Sequence, residues 1–156
     1  MTMEILVIED DRLKSDRLLG FLKAAYPKAI PKLEKSYHNG LYRIETEHFD
    51  VVLLDMTLPT YSSATATRLG RPRPLGGYDI LRKMRRKKIV SKVIVVSALG
   101  GFGTGDTKFT FDELQTKCAE EFPDIFLGAV FFSQTSTKWE RQLSALLKRA
   151  LELSND

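Results

Sequence analysis

The amino-acid sequence predicts an α/β fold built on a doubly wound, five-stranded parallel sheet. Short apolar segments typical of strands recur five times along the chain, and segments with helical apolar spacing separate them. Near-continuous apolar strands are typical of a parallel sheet that is covered on both faces. Right-handed crossovers then place the helices on the two sides of that sheet.

The first half of the chain predicts three strands and two helices. Glu4–Ile8 is rich in β-branched residues and predicts the first strand, while the pattern of the second strand is weaker. In order, the predicted elements are a strand at Glu4–Ile8, a helix at Arg12–Tyr26 with Leu18, Phe21, Leu22 and Ala25 on its apolar side, a strand at Lys32–Ser36, a helix at Asn39–Glu47 and a strand at Asp50–Leu54.

The second half predicts two more strands, three helices and two enlarged loops. Residues 58–77 lack an apolar period and contain many helix breakers, and residues 98–109 hold four glycines, so both segments are predicted to be loops. Capping-box patterns at Thr110–Glu113 and Thr137–Glu140 mark the starts of the last two helices. The remaining predicted elements are a helix at Gly77–Lys87, a strand at Lys92–Ser97 and a strand at Phe126–Phe132.

Composition narrows the class of protein. The chain has 156 residues, a length that predicts one domain over residues 1–156 with a sizeable core. Its net charge of +4 is mildly basic, which is compatible with an acidic partner. Cys118 is the only cysteine, so an intramolecular disulfide framework is excluded, and its apolar helical position predicts a core thiol. No apolar run approaches the roughly 20 residues of a membrane span. These features predict a cytoplasmic protein that does not enter a membrane.

Polar side chains follow three of the predicted strands. Glu9 and Asp10 end the first strand, Asp55 ends the third and Ser97 ends the fourth. Ligand sites of such sheets lie outside the carboxyl ends of the strands. If the first and third strands are neighbours, the three carboxylates share one pocket, where their repulsion calls for a cation. Mg²⁺ suits this set, since it needs only one or two carboxylates together with water and substrate oxygens. Individually, each could instead be a solvated carboxylate.

Four motifs together resemble the receiver domain of bacterial two-component response regulators. They are ILVIEDD at residues 5–11, DVVLLDMTLP at 50–59, KVIVVSA at 92–98 and the GA pair at 128–129. The resemblance covers the chain in order, and it implies a flavodoxin-like or receiver-like sheet with strand order 2-1-3-4-5.

The resemblance also implies a role for each matched residue. Asp55 matches the phosphoacceptor, which would take a phosphoryl group as an aspartyl phosphate. Asp10 matches the direct Mg²⁺ ligand, Glu9 the acid that holds the ion through water, and Thr57 a backbone carbonyl ligand. Ser97 matches the switch hydroxyl and Phe132 the switch aromatic. The acid at Asp11 is better explained as a favourable charge at a helix N-terminus.

One expected residue is missing. Receiver domains carry a lysine at the end of strand five, and counting from the GA pair places Thr135 there, with Gln134 or Ser136 after a slip of one residue. The candidate substitute cations are Arg68, Arg71, Arg73 and Lys138. The arginines could replace the lysine, bind an acidic partner or a nucleic-acid phosphate, or belong to a solvated loop, which is the favoured interpretation. The basic run at 82–88 lacks interleaved aromatics, so direct nucleic-acid binding is not expected.

Three functions compete at this stage. The first is a stand-alone receiver that accepts a phosphoryl group on Asp55 from a sensor histidine kinase or a phosphotransfer protein, signals to a downstream protein and could form a homodimer. The second is a pseudo-receiver, a phosphorylation-independent interaction module, which the missing lysine and the enlarged loops favour. The third is an aspartyl phosphatase, ranked last because Thr57 stands where such enzymes carry a second aspartate. The first and second would be signalling or binding domains rather than enzymes in the usual sense.

Overall fold

The computed structural model of the protein describes residues 3–59, 72–73, 76–98, 101–102 and 109–154. Its main sheet has five parallel strands in the order β2-β1-β3-β4-β5, which confirms the predicted fold class and strand order. The strands are β1 (Glu4–Ile8), β2 (Ile30–Glu34), β3 (Val51–Leu54), β4 (Lys92–Ser97) and β5 (Phe126–Phe131).

Five helices flank the sheet within the described residues. They are α1 (Arg12–Ala25), α2 (Tyr37–Thr46), α3 (Gly76–Arg86), α4 (Phe111–Glu121) and α5 (Lys138–Ser154). Two hydrophobic clusters, one on each face of the sheet, hold the layers together. One cluster contains residues of α2, α3 and α4, and the other contains residues of α1 and α5. Successive strand residues, such as Val52 and Leu53, enter opposite clusters because side chains alternate across a strand.

The second strand is shifted from its predicted position. It runs from Ile30 to Glu34 rather than from Lys32 to Ser36. Pairing with β1 sets these bounds, since Glu4 lies opposite Ile30 and Ile8 lies opposite Glu34. Ser36 instead precedes α2, where its hydroxyl accepts a hydrogen bond from the backbone N–H of Asn39 at 3.1 Å. A serine that satisfies a free N–H is typical of a helix N-terminus. In α1, Ala25 is exposed rather than part of the apolar side.

Polar side chains cap the N-termini of α1, α4 and α5. Asp11 caps α1 by accepting from the N–H of Lys14 at 2.9 Å, which agrees with its predicted place at a helix N-terminus. The predicted capping box of α4 is confirmed, with Thr110 and Glu113 each accepting from the other's backbone. At α5, Ser136 accepts from the N–H of Lys138, one residue before the predicted cap.

The two segments predicted as loops contain short antiparallel pairs. Residues 58–59 pair with 72–73, and residues 101–102 pair with 109–110. These pairs were not predicted, since two-residue strands leave no periodicity in the sequence. Within these segments, residues 60–71, 74–75, 99–100 and 103–108 lie outside the described residues. In the part of the chain that the structure describes, no helix is both long and apolar enough to cross a membrane.

Candidate functional site

The three predicted carboxylates meet at the carboxyl end of the sheet. β1 and β3 are parallel neighbours with Ile8 opposite Leu54, so the residues that follow each strand arrive at the same edge. Glu9, Asp10 and Asp55 each place a carboxylate oxygen within 4.8 Å of the others. The shared pocket was predicted only if the first and third strands are neighbours, and the structure confirms that they are.

These carboxylates line a cleft of about 450 Å³. Glu9 and Asp55 are 2% and 8% exposed, whereas Asp10 is open to solvent. The cleft is also lined by Asp11, Lys14, Thr57, Ala98, Phe131, Phe132, Ser133 and Gln134. An open cleft with one exposed and two buried carboxylates can admit a solvated ion and a small anionic group from the Asp10 side.

A buried lysine stands among the carboxylates. Lys14, in the first turn of α1, is 3% exposed. Its Nζ donates to Asp55 Oδ1 at 3.3 Å and to the carbonyl oxygen of Val96 at 2.6 Å. It also lies 2.5 Å from Glu9 Oε2. The ammonium group thus connects the residues that follow β1 and β3 with Val96, the penultimate residue of β4.

Sequence reasoning did not predict Lys14, although two signals were present. Lys14, Leu18 and Leu22 are spaced by four residues, so they share the buried side of α1. A cation in the first turn also opposes the helix dipole, which favours acids at that end. A lysine that is placed on the apolar side and against the dipole needs a compensating partner, and here the partners are Glu9 and Asp55.

The electrostatics of the site reflect its burial. The pKa of Glu9 is raised to about 7, chiefly by burial and then by the charge of Asp55, while Lys14 opposes the rise. Burial likewise raises the pKa of Asp55 against the lowering effect of Lys14. The pKa of Asp10 is raised, again chiefly by loss of solvent. One ammonium group therefore does not compensate three clustered carboxylates.

The donor set fits a divalent metal ion. Glu9 Oε1 accepts from the N–H of Asp11 at 3.0 Å, but Oε2 is buried and makes no directed hydrogen bond among the described residues. The Lys14 ammonium lies 2.5 Å from Oε2 and forms an ion pair with it. Because the same ammonium also pairs with Asp55, the three carboxylates keep an excess of negative charge, which is costly in a buried site unless a further cation approaches. Oxygen ligands from carboxylates are those that Mg²⁺ prefers.

The proposed switch residues lie beside the cleft. Ser97 ends β4 and is fully buried, and its carbonyl accepts from the N–H of Phe132 at 2.8 Å. Phe132 lines the cleft and is 3% exposed, with its ring centroid 5.1 Å from that of Trp139. Phe131, one residue earlier, is 44% exposed and packs edge-to-face on Phe111. The two phenylalanines therefore point toward different sides of β5.

Neither Thr135, which occupies the expected lysine position, nor Lys138 is among the described residues that line the cleft. Thr135 follows the cleft-lining residues Ser133 and Gln134 and borders an adjacent depression beside Trp139. Lys138 is exposed at the start of α5. Arg68 and Arg71 lie outside the described residues, and only the backbone of Arg73 is described.

Comparisons with known proteins place this fold. No family model matches the chain. A CheY-like response regulator receiver domain protein from Methanospirillum hungatei superposes with a TM-score of 0.65 at 18% identity, over 99% of this chain and 98% of that one. The receiver domain of a sensor histidine kinase from Pseudomonas aeruginosa superposes with a TM-score of 0.60 at 16% identity, over 97% and 99%. That structure holds a magnesium ion in its active-site cleft.

The sheet order and these superpositions define the fold as that of the CheY-like receiver domains. At the level of sequence, the chain is 32% identical over 106 residues to the Detocs response regulatory protein DtcB of Enterobacter cloacae, which covers 67% of this chain and 69% of that protein. The chain belongs to the response-regulator family, as its motifs predicted.

Proposed function

We propose that the chain is a receiver that accepts a phosphoryl group on Asp55 with Mg²⁺ and signals through protein contacts. The observation that carries the proposal is the juxtaposition of Asp55 with Glu9 and Asp10 at an open cleft, with their oxygens within 4.8 Å. Buried carboxylates at the end of two core strands raise the folding cost of the domain, so a purely structural role does not account for them.

The chemical step is a transfer between two nucleophiles. A carboxylate oxygen of Asp55 attacks the phosphorus atom of a phosphohistidine or a small phosphodonor. The P–N or P–O bond of the donor breaks, its electron pair leaves with the donor, and Asp55 carries an acyl phosphate. Hydrolysis by water returns the carboxylate and releases phosphate. This chemistry depends on positioning and charge neutralisation more than on covalent assistance.

The metal ion would be held by Asp10 and Asp55 directly, with Glu9 acting through water and Thr57 offering its backbone carbonyl. When bound, it supplies positive charge to the transferring phosphoryl group. The Pseudomonas aeruginosa receiver domain, which superposes on this chain, holds magnesium in its active-site cleft, and this similarity supports the assignment. The protein contributes the orientation of Asp55, since the backbone N–H of Asp55 is tied to the Ile8 carbonyl at 3.1 Å.

Signal output would pass through the β4–β5 side of the domain. Ser97 and Phe132, which are joined by a backbone hydrogen bond, are the candidate switch pair. The partners proposed are a sensor histidine kinase or a phosphotransfer protein upstream and a protein downstream, with a homodimer as a further assembly. This function places the protein in the cytoplasm of a bacterium.

The test is phosphorylation by acetyl phosphate in the presence of Mg²⁺. We expect an acid-stable, base-labile adduct on the wild-type protein and on Asp16→Asn, which alters a solvent-exposed carboxylate of α1. Asp55→Asn should abolish the adduct, because it removes the nucleophile. A wild-type protein that gives no adduct and shows no Mg²⁺ binding by titration would contradict the proposal and favour the pseudo-receiver alternative.

A further inference from the structure

We infer that Lys14 supplies the positive charge at Asp55 that a receiver normally takes from the end of its fifth strand. The inference rests on the proposed phosphoryl transfer and names a residue that acts in it. It replaces the substitute cations that the sequence suggested, Arg68, Arg71, Arg73 and Lys138, with a side chain that enters the site from α1.

The position of the ammonium group is fixed from three sides. Its hydrogen bond to the Val96 carbonyl, 2.6 Å, anchors it to β4. Its contacts with Glu9 and Asp55, at 2.5 and 3.3 Å, aim it at the two buried carboxylates. A lysine ammonium has three N–H groups and no acceptor, and these three contacts hold it beside the Asp55 carboxylate.

The end of β5 offers no competing cation in the described structure. The residues that reach the cleft there are Phe131, Phe132, Ser133 and Gln134. Among the described residues that line the cleft, Lys14 has the one cationic side chain. The charge near the phosphoacceptor thus comes from the helix that follows β1 rather than from the last strand.

A charge count supports the same assignment. Four carboxylates line the cleft, and one of them, Asp11, caps α1. The other three, Glu9, Asp10 and Asp55, carry three negative charges when ionised, and Lys14 compensates one of them. The remaining two correspond to one divalent ion. Because a phosphoryl group adds further negative charge at Asp55, the ammonium, which already lies 3.3 Å from Oδ1, can remain in place as a partner of the new oxygens.

The test measures the affinity of one variant for two ligands of opposite charge, Mg²⁺ and beryllofluoride. Lys14→Met keeps the length of the side chain and removes its charge. We expect beryllofluoride, a phosphoryl mimic, to bind at least about tenfold more weakly in saturating Mg²⁺, because its anionic group loses a charged partner. Mg²⁺ alone should bind several-fold more tightly, because the carboxylates then carry uncompensated charge. Calorimetric titration measures Mg²⁺ binding, and ¹⁹F NMR measures beryllofluoride binding.

Opposite shifts distinguish a charge role from a structural one, since a damaged fold weakens both ligands. Lys23→Met, at an exposed lysine of the same helix, is the matched control and should leave both affinities unchanged. Lys138→Met tests the alternative cation and should also leave them unchanged. Beryllofluoride affinity in Lys14→Met within twofold of the wild type would overturn the inference while leaving the proposed function intact.

A second comparison covers the case in which Lys14→Met does not fold. The comparison is between Glu9→Gln and the double variant Glu9→Gln/Lys14→Met. The double variant removes the Glu9 charge together with the Lys14 charge, so it does not leave the Glu9 carboxylate unpaired as Lys14→Met alone does. We expect the double variant to bind beryllofluoride more weakly than Glu9→Gln, and equal affinities would overturn the inference. If the wild type binds neither Mg²⁺ nor beryllofluoride, the proposed function fails first.

Discussion

At the scale of single residues, Lys14 shows how a buried charge can be tolerated. A lysine at 3% exposure would be strongly unfavourable alone, but two carboxylates and a backbone carbonyl surround it. Such groups stabilise the fold only as a set, since removing one leaves the others unpaired in a dry environment. This interdependence makes the site sensitive to any change of charge.

Cys118, in contrast to Lys14, is a titratable group that is buried among apolar side chains. It is fully buried in the cluster beneath α4, and burial raises the pKa of its thiol to about 12. Because the thiolate is the reactive form, only roughly one thiol in ten thousand would be ionised at pH 8. The side chain is therefore an apolar filler in chemical terms, as the sequence predicted.

This predicts how Cys118 reacts with Ellman's reagent. We expect no reaction with the native protein at pH 8 on the scale of minutes and stoichiometric reaction in guanidinium chloride, where burial is lost. Reactivity should stay low until the pH approaches 12, because the raised pKa keeps the thiol protonated. Rapid stoichiometric labelling of the native protein would contradict the predicted burial.

At the scale of elements, the start of α3 is packed against the turn formed by Asp55 and Met56. The N–H of Gly77 donates to the Met56 carbonyl at 2.9 Å. A Cβ atom at Gly77 would stand 2.9 Å from Met56 Cα and closer still to the Asp55 carbonyl oxygen. Both neighbours are backbone atoms and cannot rotate away, so only glycine allows α3 to approach the turn this closely.

Gly77→Ala is therefore expected to lower the free energy of unfolding by about 1–3 kcal/mol through overpacking. It should also weaken beryllofluoride binding, because the backbone of Asp55 must shift. The control is Gly20→Ala in α1, where a new Cβ meets nothing within 4 Å. That change should raise stability by roughly 0.5–1 kcal/mol, since alanine favours helix. Urea denaturation measures both, and equal stabilities for the two variants would refute the packing argument.

At the scale of the whole molecule, the site joins elements that are distant in the chain. Lys14 and Val96 are separated by 82 positions, yet one hydrogen bond connects them. The carboxylates belong to the strand ends of β1 and β3, and the cleft is completed by the ends of β4 and β5. A ligand bound there contacts the folded sheet as a unit, so its binding should stabilise the entire domain.

Mg²⁺ is expected to raise the thermal midpoint of unfolding. At a concentration one hundred times its dissociation constant, an ion that binds only the folded state adds about 2.7 kcal/mol. Asp10→Asn should reduce the shift, because it removes the exposed carboxylate of the set without disturbing the core. Asp16→Asn should retain it. Differential scanning calorimetry against sodium chloride of equal ionic strength measures the effect, and an equal shift in Asp10→Asn would exclude this site as its source.

Much of the fold could be predicted because its signals are local. Apolar runs such as Val51–Leu54 indicate buried strands wherever they pair, and the capping box of Thr110 and Glu113 marks the start of α4 by its own residues. The position of β2 could not be fixed in this way. Its residues are only partly buried at the edge of the sheet, so pairing with β1 decides the register.

The sequence by itself determined the family, the sheet and the three carboxylates, since each of these follows from short motifs in order along the chain. Only the tertiary structure decided where the positive charge lies. The side chain of Lys14 reaches Asp55 because α1 packs against the sheet with Leu18 and Leu22 inward, which turns Lys14 toward the same interior. The rotation of a helix against a sheet is set by packing between distant segments, and a linear pattern does not contain the contact that results.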